Sequence, residues 1–348
     1  MTAMAWLRGC LPCCSRRRRP HAAPGFTLIE VLVALALTSL LLVSLGRLLA
    51  SASRTLQLRD SQAEMRERAR YALAVLEPDI QMAGYFGLTS RGADFRWLQS
   101  GDAAGAVPAA SLAQAAPPVA SAPAAAHDCG VNYVLDLATS LQADNNRFTL
   151  GRNRSAGCAA NGGARRGSDT LTIRRASTRS AAADAGRFQL LVDRSDERRR
   201  WILADGIAPA GSVAAADRLE WHDVQLSAYY VSNDSVGAPG TPSLRVKSLT
   251  RISGRPAFLD TEVMPGIEDL QLQLVTDAGV FDPEALPLNA HIRLVQLWLR
   301  VRAASMETGY RDTQVYRYAD VTAAPASAEQ GFRRLLVTRR IALRDAAP

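Results

Sequence analysis

The residue with the clearest chemical implication is Glu30, a lone carboxylate within an apolar stretch. It follows Phe26-Thr-Leu-Ile and precedes Val-Leu-Val-Ala-Leu-Ala-Leu. The apolar stretch continues for about 20 residues, which is enough to cross a bilayer. A charged side chain inside hydrocarbon is costly unless it is paired, so acids within a membrane span usually have a function. We therefore expect Glu30 to have a cationic partner.

A basic segment precedes the apolar stretch and predicts its orientation. Arg8 and Arg16–Arg19 lie before Gly25, and this segment contains no acidic residue. Because basic flanks remain on the cytoplasmic side, we expect the rest of the chain to be exported. These five arginines also supply much of the formal net charge of +8. Charge alone is therefore a weak argument for nucleic-acid binding.

The cysteines divide into an N-terminal group and a later pair. Cys10, Cys13 and Cys14 lie in the basic segment, so only Cys129 and Cys158 remain if that segment is removed. An even pair in an exported chain favours one disulfide in an oxidising compartment. Two buried free thiols are the alternative.

No arrangement of residues predicts an enzyme active site. The sequence lacks the nucleophile elbow, the phosphate loop and the dinucleotide fingerprint, and its four histidines are scattered. His222 follows Trp221 in a strand-like run, and we interpret it as a packing or surface residue. Asp277 and Asp282 flank a turn, but two acids are too few for a typical calcium site. We therefore expect no catalysis, cofactor or metal.

A helix should position Glu30 and continue beyond the membrane span. The apolar residues that follow recur at spacings of four and three, which predicts one buried helix face: Met65, Ala69, Ala72, Leu73, Leu76, Ile80 and Ala83. Pro78 should kink this helix or end it nearby, and Gly84 is a suitable C-terminal stop.

The second half of the chain predicts β-structure. Short apolar runs predict strands over residues 170–173, 188–192, 201–203, 225–231, 243–249, 267–275, 293–301 and 335–343. A Gly/Pro/Asn turn between 225–231 and 243–249 predicts a hairpin. Residues 101–126 and 157–167 are predicted as loops. These elements indicate an α+β fold in which an antiparallel sheet packs on the long helix.

The segment Gly25-Phe-Thr-Leu-Ile-Glu30 closely resembles the signal of type IV prepilins. The resemblance implies that a membrane prepilin peptidase cuts after Gly25 and methylates the new N-terminal amine of Phe26. It also implies that Glu30 pairs with the N-terminal amine of a subunit during filament assembly. An ordinary signal peptide cut after Ser51-Ala-Ser53 is the alternative, but the apolar pattern continues into an amphipathic helix.

A further resemblance narrows the family to PilW-type minor pilins. It rests on Tyr71-Ala-Leu-Ala-Val-Leu-Glu-Pro-Asp-Ile-Gln-Met-Ala-Gly-Tyr-Phe-Gly87 and, in the second half, on Tyr229-Tyr-Val231, Val263-Met-Pro-Gly-Ile-Glu-Asp-Leu-Gln271 and the terminal Arg-Arg-Ile-Ala-Leu-Arg344. Pro78 departs from the family pattern, as does Leu88, which stands where many relatives place a cysteine. The resemblance implies the type IV pilin fold, a helical spine with a β-sheet head.

The expected organisation follows from these features. We predict a removed leader (1–25), the transmembrane half of the spine (26–46), its amphipathic periplasmic half (47–87), a variable loop region (88–168) and a β-rich head (169–348). The resemblance implies single-pass insertion in the bacterial inner membrane with a periplasmic head, then incorporation into a pilus at or near its tip. The implied partners are the prepilin peptidase, the major pilin, other minor pilins and the inner-membrane assembly platform.

Two other functions remain open at the level of sequence. A minor pseudopilin of a type II secretion system would share the anchor and a similar head. A minor pilin that binds DNA for natural transformation would use a cationic patch, formed by Arg152, Arg154, Arg165, Arg166, Arg174, Arg175, Arg179 and Arg198–Arg200. We favour a solvated arginine-rich loop face over this patch.

Overall fold

The chain divides into two compact units between Gln57 and Leu58. The computed structural model describes residues 25–98, 107–108, 122–150, 157–196, 199–207, 218–287 and 290–344. The predicted leader up to residue 24 lies outside the described residues, as does most of the predicted loop 101–126.

One long helix, α1, extends from Leu28 to Gln81. Its part in the first unit carries the apolar stretch, which is rich in Leu and Ala, both strong helix formers. The large apolar side chains of this part, from Leu28 to Leu56, are exposed to solvent. Within the part of the chain that the structure describes, α1 is the one helix long and apolar enough to span a membrane.

In the second unit, α1 presents the predicted apolar stripe to the core. All seven predicted residues, from Met65 to Ala83, leave at most 5% of their surface exposed. Arg66, Glu67 and Arg70 lie off the stripe and are exposed, as predicted. Burial of a large aliphatic side chain such as Leu76 stabilises the fold by roughly 1.5–3 kcal/mol. The stripe therefore holds this part of the helix against the sheets.

The helix passes through Pro78 and ends three residues later, at Gln81. The carbonyl oxygen of Pro78 accepts a hydrogen bond from the Met82 amide at 3.1 Å. Gly84 has a φ of +81°, a left-handed conformation that favours glycine. Its amide donates to the Arg174 carbonyl at 3.1 Å, so the chain leaves the helix and joins the sheet.

Fifteen strands occur in the described residues. They are β1 (Arg96–Trp97), β2 (Val107–Pro108), β3 (Leu141–Asp144), β4 (Thr170–Ala176), β5 (Gln189–Asp193), β6 (Arg200–Leu203), β7 (Leu219–Ser232), β8 (Ser243–Ile252), β9 (Arg255–Pro265), β10 (Ile267–Thr276), β11 (Gly279–Phe281), β12 (Ile292–Arg302), β13 (Tyr316–Tyr318), β14 (Val321–Ala323) and β15 (Arg334–Ala342). Each of the eight predicted strands coincides with one of these. The other seven strands were not predicted: β9, which is long, and the short strands β1, β2, β3, β11, β13 and β14.

The strands form a nine-stranded sheet, a four-stranded sheet and a two-stranded hairpin. In the nine-stranded sheet, the long strand β7 pairs with β4, β5 and β8. The predicted hairpin is confirmed, because β7 and β8 pair antiparallel. The four-stranded sheet has the order β11-β10-β12-β15 and is antiparallel throughout. Only β1 and β6 pair in parallel among the described strands.

The helix stripe and both larger sheets share one hydrophobic core. Side chains from β4, β7, β10 and β12 meet Leu76 and Ile80 there, including Ile173, Tyr229, Leu272 and Leu297. A second core lies around Phe86, Phe188 and Leu226, and it includes Ala125 and Ala126. Those two alanines were predicted in a loop with little to pack, but they are buried. The result is an α+β layout that is compatible with the pilin fold.

Candidate processing and assembly site

The predicted cleavage point lies in accessible, non-helical chain. Residues 25–27 precede α1 and are exposed, and Phe26 leaves 84% of its surface exposed. A Cβ added at Gly25 would meet nothing within 4 Å, so the fold itself places no steric demand on this glycine. The requirement for glycine would therefore come from the narrow site of a protease.

Glu30 closes the start of the helix together with Thr27. One carboxylate oxygen of Glu30 accepts from the amide and the hydroxyl of Thr27, both at 3.4 Å. In return, the Glu30 amide donates to the Thr27 hydroxyl at 3.3 Å. This reciprocal arrangement is a capping box, and it satisfies donors that a helix N-terminus leaves free. The carboxylate is therefore held by its own chain, and no ion pair joins it to a cation among the described residues of the first unit.

Thr27 was not predicted as a capping residue, although the sequence carries the signal for it. Thr27-Leu-Ile-Glu30 fits the Ser/Thr-x-x-Glu pattern of a capping box. Glu30 therefore has two roles, as the acid of the capping box and as a charge within the membrane span.

Within the run from Tyr71 to Gly87, Asp79 bonds Arg175 and Tyr229, and these contacts form a lock between the helix and the nine-stranded sheet. Asp79 Oδ1 accepts hydrogen bonds from Arg175 Nη2 at 2.7 Å and Nε at 3.1 Å. Asp79 Oδ2 accepts from the Tyr229 hydroxyl at 2.7 Å. Burial raises the pKa of Tyr229, and the neighbouring Asp79 carboxylate raises it further. Tyr229 therefore stays a hydrogen-bond donor, and Asp79 ties α1 to β4 and β7.

The run from Val263 to Gln271 contributes Glu268 to an ionic cluster of the four-stranded sheet, together with Arg300 and Arg334. Glu268 is 1% exposed and accepts from Arg334 at 2.7 and 3.0 Å and from Arg300 at 2.9 Å. Burial alone would raise the pKa of Glu268, but the hydrogen bonds and charges of these arginines outweigh burial and lower it. Arg334 also bonds Asp312 at 3.2 Å. The cluster therefore fastens the connection between β12 and β15 to the sheet.

The backbone conformation and close neighbours of Gly266 explain why the Val263–Gln271 run has a glycine at this position. Gly266 has a φ of +80°, and a Cβ there would lie 2.4 Å from Nη1 of Arg68 on α1. A side chain at this position would thus be strained by the backbone conformation, would displace the Arg68 guanidinium and would lie 3.1 Å from the Arg302 carbonyl oxygen.

Cys129 and Cys158 are joined by a disulfide in the second core. Both are buried, at 7% and 0% exposure, and they pack with Tyr133 and Phe258. Formation of this bond in the exported protein stays a prediction. Cys10, Cys13 and Cys14 lie outside the described residues.

Five of the seven described arginines proposed for DNA contact have partners within the chain. Arg174 is 1% exposed and donates to the carbonyls of Tyr133 and Thr139. The other four form ion pairs: Arg175 with Asp79, Arg165 with Glu268, Arg199 with Asp193 and Arg200 with Asp94. Arg166 and Arg179 are exposed. Arg152, Arg154 and Arg198 lie outside the described residues. The seven described arginines thus do not form one free cationic surface.

The remaining candidate residues are dispersed. His222 is 5% exposed, and its Nδ1 lies 3.0 Å from the Ser177 carbonyl oxygen. Asp277 pairs with Arg293 at 2.5 Å, whereas Asp282 accepts from Gln273 at 2.9 Å. Over the described ranges, no group of three or more His, Cys, Asp or Glu side chains is arranged to hold a metal.

Residues 22–46 match a family model described as the prokaryotic N-terminal methylation motif. No curated protein and no solved structure matches the chain. The motif covers Gly25, Phe26 and Glu30, and it continues through the apolar stretch of α1.

The motif and the apolar helix indicate the class of protein. The methylation motif indicates a precursor of the type IV pilin or pseudopilin kind. Such a motif implies processing by a prepilin peptidase and assembly with other pilins in a membrane complex. The apolar helix and the motif together fit anchoring in the inner membrane.

Proposed function

We propose that the chain is a minor pilin of the PilW type and has a structural rather than an enzymatic role. In this proposal the prepilin peptidase removes residues 1–25, and Phe26 becomes the methylated N-terminus. The subunit then stays in the inner membrane with its head in the periplasm until it enters a type IV pilus, at or near the tip. The observation that carries the proposal is the methylation motif at residues 22–46.

The head supports the narrower assignment to PilW-type subunits. The run Tyr71–Gly87 resembles the PilW signature, and its Asp79 locks α1 to the nine-stranded sheet. The run Val263–Gln271 resembles a PilW head, and its Glu268 anchors the cluster under the four-stranded sheet. Both resemblances therefore fall on residues that hold the fold together.

The geometry of Glu30 suggests how assembly would be favoured. In the single subunit, the carboxylate is held by two neutral donors of Thr27 at 3.4 Å. A methylated amine of another subunit is a cation, so it adds a Coulomb attraction to the carboxylate that the neutral Thr27 donors do not supply. Docking would exchange the weaker partner for the stronger one. Assembly would thereby relieve a charge that is costly within hydrocarbon.

A pseudopilin of a type II secretion system is the second candidate. It would use the same anchor, the same processing and the same pairing of Glu30, so the N-terminal segment supports it equally. Recovery from sheared surface pili supports the pilin, and recovery only with secretion components supports the pseudopilin. The DNA-binding alternative receives no comparable support, because most of its described arginines are paired within the chain.

Substitution of Glu30 tests the proposed function. We expect Glu30→Ala to be inserted and cut after Gly25 but lost from sheared filaments, measured by immunoblot against the membrane fraction. Glu30→Gln keeps an acceptor for the capping box without the charge, so it should also be lost. Thr38→Ala is the control in the same span, because the Thr38 hydroxyl bonds only its own helix, at the Ala34 carbonyl (2.8 Å) and the Leu35 carbonyl (3.0 Å).

Two results would contradict this mechanism. If Glu30→Ala enters filaments at the wild-type level, then the carboxylate is not an assembly contact. If Glu30→Gln assembles normally whereas Glu30→Ala does not, then the capping box matters rather than the charge pair.

A further inference from the structure

The feature that carries a further inference is the outer edge of β9. β9 pairs with β8 along its whole length, from Ser243↔Pro265 to Ile252↔Arg255. No backbone hydrogen bond in the described chain reaches β9 from its other side. Alternate residues of such an edge strand direct free N–H and C=O groups away from the sheet. These groups form a ladder that only another extended backbone matches.

The middle of β9 lacks the usual protection of an edge strand. Natural edges are blocked by proline, by bulges or by charged side chains. Pro256 and Pro265 block only the ends, and a register shift lies opposite Leu244 and Arg245. Between these features, residues 257–262 form a regular strand about 20 Å long, which is a common strand length.

One face of this open segment is uncharged. Ala257, Leu259 and Thr261 alternate on it, next to Ser248 and Thr250 of β8. Leu259 leaves 50% of its surface exposed, and Thr261 is exposed as well. A half-exposed leucine in the middle of an unpaired strand offers a side-chain contact in addition to the backbone ladder.

The acids on the opposite face are neutralised within the head. Asp260 accepts from Lys247, Arg245 and the Tyr230 hydroxyl, each at 2.7 Å. Glu262 pairs with Arg245 at 3.6 Å and also accepts from the Val236 amide at 2.8 Å and from Ser235 at 3.1 Å. No free charge from these two residues is therefore available to repel an incoming strand.

The edge of the four-stranded sheet provides a contrast. Its strand β15 pairs with β12 and carries two exposed arginines. Arg339 pairs with Glu77 of α1 at 2.8 Å, and Arg340 donates to the neutral Gln296 side chain at 3.3 Å, so Arg340 keeps a net charge at this edge. Charged side chains of this kind are a typical protection against strand addition. Of these two long edges, only that of β9 is thus suited to pairing.

We propose that residues 257–262 of β9 bind an extended strand from the head of a neighbouring pilin subunit. The partner would add one antiparallel or parallel strand to the nine-stranded sheet, the mode known as β-augmentation. Alternate partner side chains would be apolar or small where they meet Leu259 and Thr261. This inference rests on the proposed function, because that function supplies neighbouring pilin heads.

The first test places charge on the open edge. We compare Leu259→Arg/Thr261→Arg with Thr338→Arg/Ala342→Arg, a matched pair of exposed positions on β15. Both variants should be cut at Gly25 and unfold at the wild-type midpoint. Filament content of the β9 variant should fall about tenfold, the effect expected from the loss of one or two net hydrogen bonds. The β15 variant should match wild type.

The second test captures the partner. A photoreactive p-benzoylphenylalanine replaces Leu259, and in a control chain it replaces Thr338, in cells that assemble pili. The inference predicts an adduct at position 259 whose peptide lies in a strand of another chain with an N-terminal methylation motif. No such adduct is expected at position 338.

The outcomes separate this inference from the proposed function. If wild-type protein is absent from filaments, then the proposed function fails and the docking edge fails with it. If wild type is present and the β9 variant equals it, then only the docking edge fails. An adduct with a second copy of this chain, with a protein that is not a pilin, or at a helix of a pilin would also overturn the docking edge.

Discussion

Asp79→Ala is the perturbation for which the structure gives the most definite consequence. The Asp79 and Arg175 side chains are 14% and 21% exposed, so their ion pair is largely buried. Removing the carboxylate leaves the Arg175 guanidinium and the Tyr229 hydroxyl without their shared acceptor. Breaking a buried pair in this way costs about 3 kcal/mol or more, because the remaining charge is uncompensated. We expect the free energy of unfolding of the second unit to fall by about 3 kcal/mol.

The assay is urea unfolding of detergent-solubilised mature protein, followed by tryptophan fluorescence. Of the five tryptophans, Trp97, Trp201, Trp221 and Trp298 lie in the second unit, so the signal reports on it. Glu67→Ala is the control on the same helix, since Glu67 pairs with Arg70 where the side chains are 64% and 78% exposed. Such exposed pairs contribute little, and we expect no measurable change.

Tyr229→Phe separates the two parts of the lock. It removes one hydroxyl donor and keeps the ion pair, so it should cost about 1 kcal/mol. If Asp79→Ala unfolds like Glu67→Ala, then Asp79 does not lock the helix to the sheet, and our reading of the Tyr71–Gly87 run is wrong.

Two further predictions concern the head. Non-reducing peptide mapping of the exported protein should show Cys129 linked to Cys158. The double substitution Cys129→Ser/Cys158→Ser should lower the free energy of unfolding by about 3–4 kcal/mol. Recovery of two alkylatable thiols without reductant would rule the bond out. Burial raises the pKa of Asp169 from 3.8 to about 7, so the folded state favours the protonated carboxyl group. The contribution of Asp169 to stability should therefore be greatest at low pH and be lost as the pH rises through about 7. Urea unfolding between pH 4.5 and 7.5 should therefore show a steeper loss of stability with rising pH for wild type than for Asp169→Asn, and parallel profiles would contradict this.

The elements that were predicted correctly depend on local periodicity. The stripe from Met65 to Ala83 repeats every three or four residues, and burial of the same side follows from helix geometry alone. The strands around Tyr229 and Leu297 have apolar runs that identify them without knowledge of their partners.

The parts that were missed depend on residues distant in sequence. Asp79 meets Arg175 and Tyr229 across 96 and 150 residues, so no local pattern indicates the lock. Neither the arginine patch nor the solvated arginine-rich face that we favoured over it indicates the partners of Arg165 and Arg200, because the acids that pair with them lie 103 and 106 residues away. β9 was missed because Pro256 and Pro265 at its ends, with Asp260 and Glu262 between them, obscure its alternation.

The pilin assignment depends above all on processing at Gly25, and mass spectrometry of the N-terminal peptide tests this processing most directly. Protein extracted from membranes should begin at Phe26 and carry an N-methyl group, and Gly25→Val should retain the leader. A mature N-terminus at Arg54, immediately after Ser53, would indicate an ordinary signal peptide. That result would contradict the pilin assignment, the assembly role of Glu30 and the docking edge together.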